Sequence, residues 1–162
     1  MLPQRIQLIA YSTLAVIICY IDRVNISVAI IPMQEQFGWS DSQVGFIFSS
    51  FYLGYMLTMA LGGYLSDKFG GKRVLGWGVI LWSIFTILTP LAAHNGFFAL
   101  FFVRVLMGIG EGVTFPAWHS LYARWIPFNE RTRAIAFTNS GISVGTIIGL
   151  SLIHISEPTR RI

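Results

Sequence analysis

The chain has 162 residues, of which 54% are hydrophobic and only 11% charged, with a net charge of +4 and a mean hydropathy of +0.66. A soluble domain carries about 25% charged residues, so this composition excludes an ordinary water-solvated globule, and its hydrophobicity excludes disorder. The basic residues cluster between apolar runs instead of lining one face, which speaks for a membrane protein and against nucleic acid as a partner.

A helix needs roughly 20 apolar residues to cross a hydrocarbon core of about 30 Å. Five segments meet this, predicting an all-α, multi-pass transmembrane bundle embedded in the lipid bilayer, with residues 1–152 as the bundle. The first runs over about 6–32 and carries Asp22, Arg23 and Asn25 within its apolar run. It ends in no A-x-A-like cleavage site, so it reads as a span and not as a signal peptide. Its Cys19 is the sole cysteine, which excludes a disulfide framework and a thiolate metal site. The second, about 42–65, is uncharged and opens with Ser40 and Gln43 at capping-box spacing. The third, about 74–93, is uncharged as well. The fourth, about 97–123, contains Arg104 and Glu111, and Pro116 predicts a kink in it. The fifth covers about 134–152. The tail 153–162, with Arg160 and Arg161, turns abruptly polar and reads as non-native sequence on a truncated chain.

The loops set the orientation. Arg5, then Lys68, Lys72 and Arg73, then Arg124, Arg131 and Arg133 all fall on one side, while Met33 to Asp41 and His94 to Gly96 contain no Lys or Arg. Positive charge marks the cytoplasmic side, so the N-terminus is expected there.

Ionisable groups at membrane depth cost about 2.5–3.5 kcal/mol each on insertion scales and are functional candidates by default. Four occur: Asp22, Arg23, Arg104 and Glu111. Arg104 and Glu111 are two helical turns apart and share a face. At about 1.5 Å per residue from the outer ends of their helices, Arg23 lies roughly 14 Å deep, Arg104 roughly 10 Å and Glu111 roughly 21 Å. All four are therefore expected to line one cavity near the midplane. In the competing reading, Asp22 and Arg23 end a shorter helix in the headgroups; Ile6 to Ile21 would then reach only about 24 Å, short of the core. A purely structural buried pairing is the other alternative. Asn25, one turn from Asp22, is either a supporting partner or a packed amide. Tyr55 is either core or cavity. Gly108 and Gly112, then Gly141, Gly145 and Gly149, repeat at every fourth residue, a spacing that brings helix backbones together in lipid. No Gly-rich phosphate cradle, metal cluster or nucleophile–base pair is visible, so neither a cofactor nor an enzyme is indicated.

The second-to-third loop, Gly62-Gly63-Tyr64-Leu65-Ser66-Asp67-Lys68-Phe69-Gly70-Gly71-Lys72-Arg73, resembles the signature loop of the major facilitator superfamily, G-x-L-x-D-[RK]-x-G-[RG]-[RK]-[RK]. Asp22-Arg23-Val24-Asn25, the run Arg104 to Gly112, Phe115-Pro116-Ala117 and Glu130-Arg131-Thr132-Arg133 resemble its anion:cation symporter family. The likeness covers roughly residues 6–152 and corresponds to the first five of twelve helices. It implies a secondary active transporter of a small anionic solute, a carboxylate or phosphate, moved by alternating access in symport with a proton or sodium. By that resemblance Arg23, Tyr55 and Arg104 contact substrate, Asp22 and Glu111 carry the coupling proton, and Gly63, Asp67, Lys68, Gly70, Lys72 and Arg73 form a gating loop. Phe48 stands where vesicular glutamate carriers have a histidine, which disfavours that activity. The fifth span lacks the Gly-Pro pair of antiporter members, which favours symport. With one six-helix repeat at most, alternating access also calls for the missing C-terminal half of the carrier. The alternative of a different class is a non-transporting membrane fragment that acts only through helix–helix association.

Overall fold

The structure is a computed structural model that describes residues 4–156, with side chains for 4–151. The tail expected to be foreign lies outside the described residues from 157 onward. The described chain consists of six helices: α1 (Gln4–Phe37), α2 (Asp41–Phe69), α3 (Gly71–His94), α4 (Phe97–Gly112), α5 (Thr114–Trp125) and α6 (Phe128–Ser156). By length and hydropathy they make five candidate spans, because α4 and α5 together form one, Phe97–Trp125.

The helix ends follow local chemistry. α1 continues past Pro32 to Phe37, since a proline within a helix forfeits one hydrogen bond without obliging the chain to stop. It stops at Gly38, whose φ of +66° favours glycine, and the Trp39 N–H donates to the Gln34 carbonyl in a Schellman motif. Ser40 caps α2: its hydroxyl accepts from the Gln43 backbone N–H, and the Gln43 side chain accepts from the Ser40 backbone N–H. α6 begins at Phe128, six residues before the apolar span. Its first turns are the charged stretch Asn129 to Arg133, with Glu130 suited to the positive end of the helix dipole.

The fourth span is broken where a kink was expected. α4 stops at Gly112, Val113 is outside either helix, and α5 starts at Thr114. Pro116 explains the position: its ring clashes with the carbonyl four residues earlier, which is that of Gly112.

Contacts divide the chain into two units. One comprises α1 up to Pro32 together with α6; the other spans Met33–Arg124. In the first, Ala134, Thr138, Gly141, Gly145 and Gly149 form a buried stripe along α6. A methyl group on Gly145 would lie 2.5 Å from the Ile17 carbonyl oxygen, and one on Gly141 would lie 3.1 Å from that of Thr13, so the glycines seat α6 directly on the α1 backbone. Arg5 and Glu130 join the beginnings of these helices by an exposed ion pair at 3.1 Å. Such a pair contributes little, so Glu130→Gln is expected to shift stability by less than about 1 kcal/mol in chemical unfolding.

In the second unit, α2 and α3 pack on α4 far more than on each other. Gly54 of α2 faces the Val105–Ile109 backbone, while Gly108 of α4 faces that of Phe51–Tyr55; Gly112 continues the contact against Tyr55 and Thr58. Gly78 of α3 and Gly110 of α4 meet in the same way, with added methyl groups falling 2.8 Å from the Gly110 carbonyl oxygen and from the Trp82 nitrogen. Large apolar side chains such as Met56, Trp77, Ile87 and Phe98 are mostly exposed, as expected where the surrounding solvent is hydrocarbon.

Gly108→Ala pushes a methyl group into backbone that cannot yield, and overpacking of this kind costs about 1–3 kcal/mol. Gly63, in the same unit, has open space around it, and alanine there gains helix propensity. Thermal melts followed by helicity are therefore expected to move down for Gly108→Ala and to stay level or rise for Gly63→Ala.

Candidate functional site

The first unit carries Asp22 and Arg23 on α1, both half-buried within the span. The Arg23 guanidinium lies over the Tyr20 ring, 4.9 Å from its centroid, a cation–π contact that holds the charge beside an aromatic face. Asn25 is exposed. On this part of α1, Gly149 of α6 packs against Val24 and Ile21, so the segment bearing the charges is fixed by the glycine stripe.

The second unit carries Arg104 and Glu111 on α4, only 4% and 1% exposed. Seven residues correspond to about 10.5 Å of rise and nearly two full turns, so both lie on one face. The Arg104 guanidinium sits 5.0 Å from the Phe51 ring centroid, and its Nη1 donates to the Met107 sulfur at 3.2 Å. Phe51 in turn packs against Tyr55, with centroids 5.8 Å apart and planes at 30°. Gly108 and Gly112 bracket Glu111 and admit the Phe51–Thr58 backbone of α2, so the close approach of α2 also brings the aromatic residues to Arg104. A buried cation and a buried acid thus share a helix face, where burial penalises each charge and a change in one alters the balance of the other.

The structure brings Tyr55, Arg104 and Glu111 into the same unit and Asp22 and Arg23 into the other. Phe51 and Met107 were not anticipated. Met107 had a local signal, since it lies three residues after Arg104 on the same face. Phe51 had none without knowing which turn of α2 meets α4.

The signature loop ends α2 and starts α3. Gly70 adopts φ +87°, which a side chain would strain, and its N–H donates to the Ser66 carbonyl. Asp67 lies 4.0 Å from Arg124 at the end of α5, and Arg124 Nη2 is 3.5 Å from the Asp67 backbone oxygen. The Lys68 ammonium sits over the rings of Tyr64 and Phe69. Gly63, Lys72 and Arg73 have open surroundings or exposed side chains. Among the described residues, no group of His, Cys, Asp and Glu is placed to hold a metal ion.

Comparisons with known proteins show the family of the chain. Residues 12–155 match the family model of the Major Facilitator Superfamily. The chain is 48% identical over 149 residues to a protein named probable anion transporter 4, chloroplastic, of Oryza sativa subsp. japonica, covering 92% of this chain and 25% of that protein. It is equally 48% identical to the chloroplastic ascorbate transporter of Arabidopsis thaliana, covering 92% and 28%. It is 47% identical to sodium-dependent phosphate transport protein 1, chloroplastic, of the same plant, covering 94% and 30%. The chain therefore spans between a quarter and a third of the length of these relatives. Among solved structures, a bacterial homolog of the human lysosomal transporter Spinster, inward-facing and occupied, superposes with a TM-score of 0.84 at 30% identity, covering 92% of this chain and 32% of that one.

Proposed function

We propose that this chain, which belongs to the Major Facilitator Superfamily, supplies the anion-handling helices of a proton-coupled organic anion symporter. The observation that carries the reading is the pair Arg104 and Glu111, enclosed on one face of a membrane-spanning helix. Of the four charges within the spans, each unit carries one arginine and one acid, so each set is neutral when its acid is ionised. Protonation of Glu111 or Asp22 leaves the arginine of its unit uncompensated in a low-dielectric setting, and an anionic solute restores neutrality. Proton and anion binding thereby favour one another, and the coupling is reciprocal. Arg23 holds the carboxylate or phosphate by two parallel hydrogen bonds, a geometry suited to the planar guanidinium. Arg104 adds a second positive centre, and Tyr55 a polar aromatic wall beside it. Alternating access proceeds by rocking of the completed carrier's halves. The α2–α3 loop serves as a gate whose Asp67–Arg124 contact is one of its holding points. The basic helix ends, from Arg5 through Lys68, Lys72 and Arg73 to Arg124, Arg131 and Arg133, support a cytoplasmic N-terminus by the positive-inside rule.

The names of the relatives support an oxyanion as cargo, one naming ascorbate and one phosphate. That the second is named sodium-dependent makes sodium the competing coupling ion. The test uses a chimeric carrier in which residues 4–151 replace the matching part of the plant ascorbate transporter. Reconstituted in liposomes, it is expected to accumulate labelled ascorbate or phosphate when a pH gradient is imposed. Accumulation that follows a sodium gradient and ignores pH would transfer the coupling to sodium; absence of anion uptake under either gradient would reject the transport reading.

A further inference from the structure

A groove of about 340 Å³ lies in the second unit, between α2 and α3, with Ile109 and Gly110 of α4 in its lining. Its origin lies in the glycines. Gly54, Gly108 and Gly112 draw α2 onto α4, and Gly78 and Gly110 draw α3 onto it, while α2 and α3 touch each other little beyond the turn at Gly70. Between the two helices lies a cleft whose lining includes Ile109, Gly110 and Val113.

Walls and mouth differ in chemistry. Leu65 and Phe69 of α2 face Val74 and Trp77 of α3, and the indole of Trp77 is among the most exposed large side chains of the protein. At the turn end the lining includes Arg73, while the ammonium of Lys68 sits 5.6 Å from the ring centroid of the wall residue Phe69. The acid of this turn, Asp67, is directed to Arg124 and leaves the mouth positive. The length also matters. Eight residues separate Arg73 from Leu81 and eleven separate Phe69 from Thr58, giving roughly 12 Å along α3 and roughly 17 Å along α2. One leaflet of hydrocarbon is about half of 30 Å thick, so the groove is as deep as a single acyl layer.

We propose that this groove holds an anionic phospholipid, one acyl chain lying on α4 between α2 and α3 and its phosphodiester bound by Arg73 and Lys68. The charge at the mouth selects the headgroup, because basic pockets between transmembrane helices bind acidic headgroups. The apolar walls alone would not discriminate, since acyl tails are alike among phospholipids of different headgroup. Trp77, amphipathic and exposed at one rim, takes the interfacial position usual for tryptophan and lies against the bound chain. The assignment uses none of Asp22, Arg23, Arg104 or Glu111, and shares only Lys68 and Arg73 with the proposed gating loop.

Fluorescence quenching tests it with the 162-residue chain itself. The chain is placed in phosphatidylcholine nanodiscs containing a minor fraction of acyl-brominated lipid, either phosphatidylglycerol or phosphatidylcholine. Phosphatidylglycerol is expected to quench tryptophan emission more strongly, and this excess should disappear in Trp77→Phe. Arg73→Gln, at an exposed position that does not threaten folding, should lower the relative association of phosphatidylglycerol about fivefold, the effect of one basic residue at an anionic surface. Val74→Phe fills the groove while keeping every charge, and should abolish the excess with helicity unchanged. Equal quenching by the two lipids would overturn the proposal, as would an excess that survives Val74→Phe, which would place the anionic lipid on the basic surface at large.

Discussion

Arg23→Ala in the chimeric carrier is expected to abolish anion uptake while leaving the protein folded and inserted. The side chain is half-buried in α1 and its guanidinium lies over Tyr20. Two charge-assisted hydrogen bonds to a carboxylate or phosphate contribute roughly 3 kcal/mol or more, so their loss weakens binding by at least about two orders of magnitude. The helix itself should persist. Its packing against α6 runs through Gly141, Gly145 and Gly149, and alanine at position 23 improves helix propensity if anything. Arg23→Lys separates charge from geometry. It keeps the positive centre but gives up the planar fork, and is expected to retain weak uptake with a raised KM. The measurement is uptake of labelled anion over a concentration series, with surface insertion quantified in parallel. Normal uptake by Arg23→Ala would move the substrate contact to another residue.

Much of this architecture was readable because lipid imposes simple rules. Five apolar runs of sufficient length gave five spans, and Ser40 with Gln43 announced the start of α2 in a pattern that depends only on local backbone geometry. Helix ends were less accessible, because an apolar window measures the hydrocarbon layer and not the helix. α1 therefore outran it to Phe37, and α6 preceded it from Phe128. Pro116 announced a disturbance of the fourth span but not its form. Whether a helix bends or breaks depends on what supports the chain around Val113, which one-dimensional spacing does not contain. The glycine stripes at 108 and 112 and at 141, 145 and 149 stood out by their repeat. Gly54, Gly78 and Gly110 did not, since each matters through a backbone on another helix. The same holds for the candidate site: the four charges were conspicuous as exceptions in apolar runs, whereas the contact of Arg104 with Phe51 required the register of α2 on α4.

The charge pair on α4 makes the strongest demand. An acid 1% exposed, on the same helix face as an arginine 4% exposed, is a costly arrangement in a membrane span. Glutamine at position 111 preserves volume and most hydrogen-bonding capacity, but it holds the site permanently in a state resembling the protonated one. The arginine then remains available to an anion at every pH, and no proton need accompany the cargo. The variant should thus exchange anion across the membrane at rates that no longer depend on pH, while net uphill movement fails. The decisive measurement compares two assays in the same proteoliposomes: counterflow of labelled anion at equal pH on both sides, and accumulation driven by an inward proton gradient. The account predicts that Glu111→Gln retains counterflow and loses gradient-driven accumulation to background. Accumulation at the level of the unmodified chimera would contradict it and remove Glu111 from the coupling of proton to anion.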